Sequence, residues 1–201
     1  MKTYNEEEPN EEGTKIISIE KSTPEIFSQG NKIYFYTEVT RETVLNLNKQ
    51  IDDLTKQMKI IQFTYNFSLP PQIEIHICSD GGDVFASLAS IDKISNSDVS
   101  IHTFCEGVVS SAASLISVCG HKRFITKNSC MLLHSVSSQF WGNYIDLKQE
   151  VKNMDLIMSI IKNIYLKKTK FKSKELGELL KHDLYLNSSK CLKMGLVDSI
   201  L

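Results

Sequence analysis

Three side chains stand where their chemistry can be used. Ser111 lies in GVVSSAASLISVCG (107–120), between a β-type segment, VSIHTF (99–104), and a helix of small residues. A hydroxyl at a helix N-terminus faces unpaired N–H groups and the positive end of the helix dipole. Such groups can hold an oxyanion developing on a substrate carbonyl. The small neighbours Ser110, Ala112, Ala113 and Ser114 let a substrate backbone come close. A serine here also fits a plain N-cap, and the spacing is not the Gly-x-Ser-x-Gly of a hydrolase elbow. A nucleophilic serine needs a base, and the base needs an orienting group. His134 ends CMLLH (130–134) and runs into polar SVSSQ, which suits a site histidine or an ordinary surface or core one. Asp183, in HDLYL, suits an orienting carboxylate or a helix-end cap. Gly81-Gly82 follows an apolar run and can make a tight turn or bring a backbone N–H to an oxyanion. No Gly-x-x-x-x-Gly-Lys or Gly-x-Gly-x-x-Gly pattern makes it a phosphate loop.

The elements around these residues alternate. KIYFYTEV (32–39) reads as a strand, and Thr40 is placed to cap a helix whose broad face carries Val44, Leu45, Leu47, Ile51 and Leu54, ending before Pro70-Pro71. IEIHI (73–77) reads as a buried strand, SDGGD (79–83) as a turn, and VFASLASIDKI (84–94) as a helix with Val84, Leu88 and Ile91 on one face. VSIHTF is a strand, the turn at 107 opens a helix stopped by Gly120, and RFIT (123–126) and CMLLH are short strands. This order predicts an α/β fold of parallel strands with helical crossovers. A long helix spans about 143–168, with Leu147, Val151, Met154, Met158, Ile161 and Tyr165 in one stripe and Ile157, Ile160 and Ile164 beside it. One stripe suffices for docking on the parent domain, so the second points to another subunit. A helix over about 173–181 and a terminal GLVDSIL strand close the chain. Residues 1–13 are acidic and expected to be mobile, and 15–28 read as a short strand and a turn.

Composition narrows the function. The 201 residues suit one domain and carry a net charge of -1, from 23 basic and 24 acidic residues, with Arg41 and Arg123 the only arginines. Neither nucleic acid nor a membrane surface is indicated as a partner. No run of about 18 apolar residues reads as a spanning helix. The N-terminus has no apolar signal core, so the expected location is the cytoplasm. Five cysteines without a CxxC pair read as reduced packing residues, and the five histidines lack metal-ligand spacing. Lysine over arginine, with many Asn and Ile, hints at an AT-rich genome such as an organellar or phage one.

In this order and spacing the motifs resemble the proteolytic subunit of the Clp (caseinolytic) protease. IEIHICSDGGDVFASLASIDKI is similar to that family's strand, S-P-G-G turn and helix. GVVSSAASLISVCGHKRFITKNSCMLLHS is similar to its G-x-A-A-S-M segment running into K-R-F…N-S…M-I-H-Q-P. WGNYIDLKQEV resembles the start of its handle helix, and HDLYLNSSKCLKMGLVDSIL its ending, over about residues 32–201 in all. The resemblance implies a Clp/crotonase-like spiral of ββα units with a projecting handle helix (143–168), occupying 29–201 after an acidic 1–28 segment. It implies Ser111 rather than Ser110 as nucleophile, His134 as base, Asp183 as orienting acid, and Gly82 and Ala112 as oxyanion-hole donors, with no metal or organic cofactor. It further implies heptameric rings stacked as a tetradecamer, an AAA+ unfoldase as partner, and unfolded polypeptides as substrates. The rivals are a non-catalytic ring subunit that assembles with active paralogues, a crotonase-like acyl-CoA enzyme, and a signal-peptide-peptidase-like enzyme. The chain departs from the family at Asp80 and Val136, where the family has Pro, at SSQFW (137–141) in place of a Gly-rich strand, and in its acidic N-terminus.

Overall fold

A computed structural model describes residues 26–201. The acidic 1–13 segment, and all but the end of 15–28, lie outside the described residues. In chain order the elements are β1 (Phe27–Gln29), β2 (Lys32–Phe35), α1 (Arg41–Tyr65), β3 (Ile73–Ser79), α2 (Val84–Ser95), β4 (Ile101–Ser110), α3 (Ser111–Val118), β5 (Lys122–Ile125), β6 (Cys130–Leu132), α4 (Tyr144–Lys168), α5 (Ser173–Leu179), β7 (Tyr185–Asn187), α6 (Ser188–Met194) and β8 (Ser199–Ile200). One sheet runs β1-β2-β3-β4-β5-β8, with β6 on β4 and β7 on β6. Its pairs are parallel except β1–β2 and β6–β7. Ile73, Ile75, Ile77, Ile101 and Cys105 are fully buried, as central strands covered by helices require.

The helix starts have identifiable causes. The Thr40 hydroxyl accepts from Thr43 N–H while Thr43 Oγ1 accepts from Thr40 N–H, a reciprocal cap that starts α1. Asn143 and Asp146 make the same exchange at α4, so that helix begins one residue after Asn143 and ends at Lys168, as expected.

Other expectations change. Leu45 is 71% exposed, so the buried face of α1 is Val44, Leu47, Ile51, Leu54 and Met58. The turn read at 107 is a bulge inside one ten-residue strand: Gly107 takes φ +62° and β4 continues to Ser110. Helix α3 ends at Val118, with Cys119 as its C-cap just before Gly120. Between α5 and the last strand the chain inserts β7 and α6, which are too short to show periodicity; Asn187 caps α6 and Gly195, at φ +72°, ends it.

The Gly107 bulge decides where the site forms. Before it, β4 pairs with β5 through His102–Cys105; after it, Val108–Ser110 turn to β6. One strand thus serves two neighbours, and its second half carries the chain out to Ser111.

The closing segment is tied down by Arg123. Its Nη2 and Nε donate to Asp198 Oδ1 and Oδ2 at 2.6 and 3.1 Å, and its Nη1 donates to Gly195 O at 2.9 Å and to Lys168 O. The side chain is 13% exposed, so truncation takes the donor from two carbonyls and the partner charge from Asp198, which is 44% exposed and keeps the Arg123 backbone N–H at 2.9 Å. Arg123→Ala is expected to lower stability by about 1–2 kcal/mol, read as a thermal midpoint about 2–6 °C lower. Burial raises the Asp198 carboxyl, but the hydrogen bonds and charge of Arg123 outweigh it and hold it below the usual carboxylate range. This contribution is present above the unfolded value of about 4 and is lost as pH falls through the lower folded value.

The cysteines are all free. Burial pushes the thiols of Cys105 and Cys191 up to about 12 and that of Cys119 to about 11, which keeps them protonated packing groups.

Candidate active site

Strand register explains how three distant segments meet. Ser110 is the last β4 residue paired with β6, opposite Leu132, and Leu132 in turn faces Tyr185 across the antiparallel β6–β7 pair. Beyond that row the three chains leave the sheet at the same end. Ser111 is one residue past it on β4, and His134 two residues past it on β6. Because β7 runs the other way, two residues before Tyr185 is Asp183. Continuing the antiparallel register sets His134 opposite Asp183, and His134 Nδ1 lies 4.0 Å from Asp183 Oδ1. That is about 1 Å longer than a hydrogen bond. Asp183 is 80% exposed and His134 26%.

Ser111 sits at the sharp junction of β4 and α3 with φ +51°, one of two non-glycine residues at positive φ among the described residues. Such a backbone costs of order 1 kcal/mol and is held by its surroundings. Strand-turn-helix geometry around a serine is what the Gly-x-Ser-x-Gly motif encodes elsewhere; here it arises without the motif, and the spacing alone did not reveal it. Ser110, by contrast, is 4% exposed, while Ser111 lines the cleft beside it.

That cleft holds about 210 Å³ and is lined by Gly82, Ser111, Ala112, His134, Ile161 and Tyr165 among others. Four of the five sequence-derived site residues therefore share one cavity, and Asp183 stands behind His134 outside it. Ala112 N–H belongs to the first turn of α3 and has no partner within that helix. Gly82 makes an isolated parallel bridge to Val39. The bridge uses Gly81 O, which accepts from Val39 N at 2.7 Å, and Asp83 N, which donates to Val39 O at 2.7 Å. It leaves the N–H of Gly82 itself out of the ladder.

Gly81 joins the candidate site, and sequence alone does not separate its part from that of Gly82. The parallel register Ser79↔Val109, continued, sets Gly81 beside Ser111. A Cβ on Gly81 would lie 2.7 Å from Ser111 Cβ and 2.8 Å from Ser110 O, and its φ is +100°. Only glycine lets the two turns approach this closely.

Ser114 and Tyr165, which the sequence presents as a small neighbour of Ser111 and a member of the long-helix stripe, also meet at the site. Ser114 Oγ donates to Ser111 O at 2.6 Å and lies 2.7 Å from Tyr165 Oη, so α4 reaches the Ser111 turn.

The Clp protease family model matches residues 28–201. The chain is 24% identical over 192 residues to the ATP-dependent Clp protease proteolytic subunit of Deinococcus radiodurans, covering 93% of this chain and 94% of that protein. Its fold is similar to that of a mutant ClpP1 from Listeria monocytogenes, with a TM-score of 0.74 at 20% identity, over 86% of this chain and 91% of that one. The mixed α/β architecture with its long α4 is thus the expected Clp/crotonase-like fold. By sequence and by fold, this chain is a member of the Clp protease family.

Proposed function

We propose that the chain is a serine endopeptidase of the Clp proteolytic-subunit type, with Ser111, His134 and Asp183 as its triad. One observation supports this above the rest: the β4–β6–β7 register, carried past its last paired row, brings a hydroxyl, an imidazole and a carboxylate from three segments to one sheet end. Ser111 Oγ attacks the scissile carbonyl carbon and gives its proton to His134 Nε2, the nitrogen turned away from Asp183. The oxyanion takes hydrogen bonds from the N–H groups of Gly82 and Ala112. The C–N bond breaks as His134 returns the proton to the leaving amine. Water, deprotonated by the same imidazole, then releases the acyl group and restores Ser111. Asp183 holds the Nδ1–H tautomer and stabilises the imidazolium. Catalytic hydrogen bonds are commonly long in an unliganded site and tighten with substrate, which accommodates the 4.0 Å separation.

Assembly follows from α4. Only Ile161 and Tyr165 of its stripe are buried, while Leu147, Val151 and Leu156 are exposed, as are the aromatic rings of Phe140, Trp141 and Tyr144 beside them. Such an apolar surface is covered in a stable protein, and copies of this chain, in heptameric rings stacked as a tetradecamer, are its proposed cover. Enclosure lets access rather than pocket shape decide what is cut. Unfolded polypeptides fed by an AAA+ unfoldase are the proposed substrates, and the cytoplasm the proposed location.

A second reading, a non-catalytic ring subunit, is favoured by the length of the His134–Asp183 contact and the exposure of Asp183. Fluorophosphonate labelling, peptide mapping and native mass on the purified chain separate the two. The enzyme carries its label on Ser111 at the mass of a tetradecamer. An assembled but unlabelled protein that cleaves no peptide is the ring subunit.

A further inference from the structure

Tyr165 and Ser114 form a hydroxyl relay with only one possible direction. Ser111 O is a carbonyl and can only accept, so Ser114 must spend its single proton there, at 2.6 Å. Tyr165 must then be the donor across its 2.7 Å contact with Ser114 Oγ. Both residues are buried, at 2% and 0% exposed, and burial pushes the Tyr165 phenol well above its ordinary range, so the donor keeps its proton. A serine bonding back three residues along its own helix is common. Here a second hydroxyl, from another helix, joins it.

The carbonyl at the end of this relay belongs to the peptide group that joins Ser111 to Ala112. Peptide groups are planar, so fixing the oxygen fixes the direction of the N–H on the other side. Donation to the oxygen also polarises the amide and strengthens the N–H as a donor. We propose that Tyr165 and Ser114 are positioning residues that aim and strengthen the Ala112 N–H of the oxyanion hole. This rests on the catalytic reading above and adds to it a link from α4, the proposed assembly helix, to the stabilisation of the transition state.

Oxyanion-hole bonds act in the transition state, so the relay predicts a loss in kcat with KM unchanged. Tyr165→Phe and Ser114→Ala are each expected to lower kcat about tenfold on a small fluorogenic peptide, less than the loss of a whole donor. Affinity for a peptide boronate should fall by the same factor. Ser117→Ala removes another buried hydroxyl of α3, one whose partner is Cys105, and should leave kcat unchanged. Ser-Ala occurs once in the sequence, at Ser111-Ala112, so carbonyl-¹³C serine with ¹⁵N alanine gives one cross-peak for this peptide group. That peak should move in both relay variants and stay in Ser117→Ala. Wild-type kcat with an unmoved peak in Tyr165→Phe and Ser114→Ala would overturn the proposal, as would an equal loss in Ser117→Ala. If the wild-type chain neither labels nor cleaves, the catalytic reading fails, and the cross-peak alone then decides whether the relay sets this peptide group.

Discussion

Ser111→Ala is expected to abolish fluorophosphonate labelling and to lower kcat on a fluorogenic peptide by about 10⁵–10⁶. The fold should be untouched, because the substitution removes one half-exposed hydroxyl and keeps the Cβ that packs beside Gly81. The thermal midpoint and native mass should match the wild type. Ser111→Gly supplies an independent arm. It is equally inactive, but it relieves the positive φ of the junction and should raise stability by about 1 kcal/mol. A serine retained in a strained backbone that glycine would relax is the pattern of a functional residue held against stability. Labelling that persists in Ser111→Ala would move the nucleophile elsewhere and remove the proposed mechanism.

Asp183→Asn is expected to lower kcat by about 10³–10⁴ with almost no cost in stability. The carboxylate is 80% exposed and no hydrogen bond from the described residues orders it, so folding gains little from it. Its importance arises only if substrate draws His134 and Asp183 together. An asparagine then offers its N–H₂ to Nδ1 and favours the wrong tautomer, leaving Nε2 protonated and unable to accept from Ser111. A loss of less than tenfold would show the carboxylate to be a spectator and favour the ring-subunit reading.

The elements were legible wherever a local rule fixed them. Thr40 and Asn143 announce their helices because a capping side chain acts within one turn of backbone. The interior strands read as strands because β-branched runs covered on both faces leave little else. What failed depends on partners far along the chain. Gly107 reads as a turn from its neighbours and becomes a bulge because β6 pairs with the far half of β4. Leu45 reads as core by type, yet it lies 71% exposed at the rim of an open groove between α1 and α2, beside Phe85 and Ala89. The candidate site residues stand out by type, through motif order. Their approach does not, since it follows from a register linking residues 79, 109, 132 and 185. The distinct parts of Gly81 and Gly82, one spacing the turns and one freeing an N–H, also need that register.

The order in which the chain leaves the ribosome bears on the proposed triad. Asp183 and β7 emerge after every other group of the site, and β7 is the strand that faces β6. A nascent chain can carry β3, β4 and α3, with Ser111, before Asp183 is there to stand opposite His134. On the proposed triad, the hydroxyl, imidazole and carboxylate can align only after β7 has been made and has paired with β6.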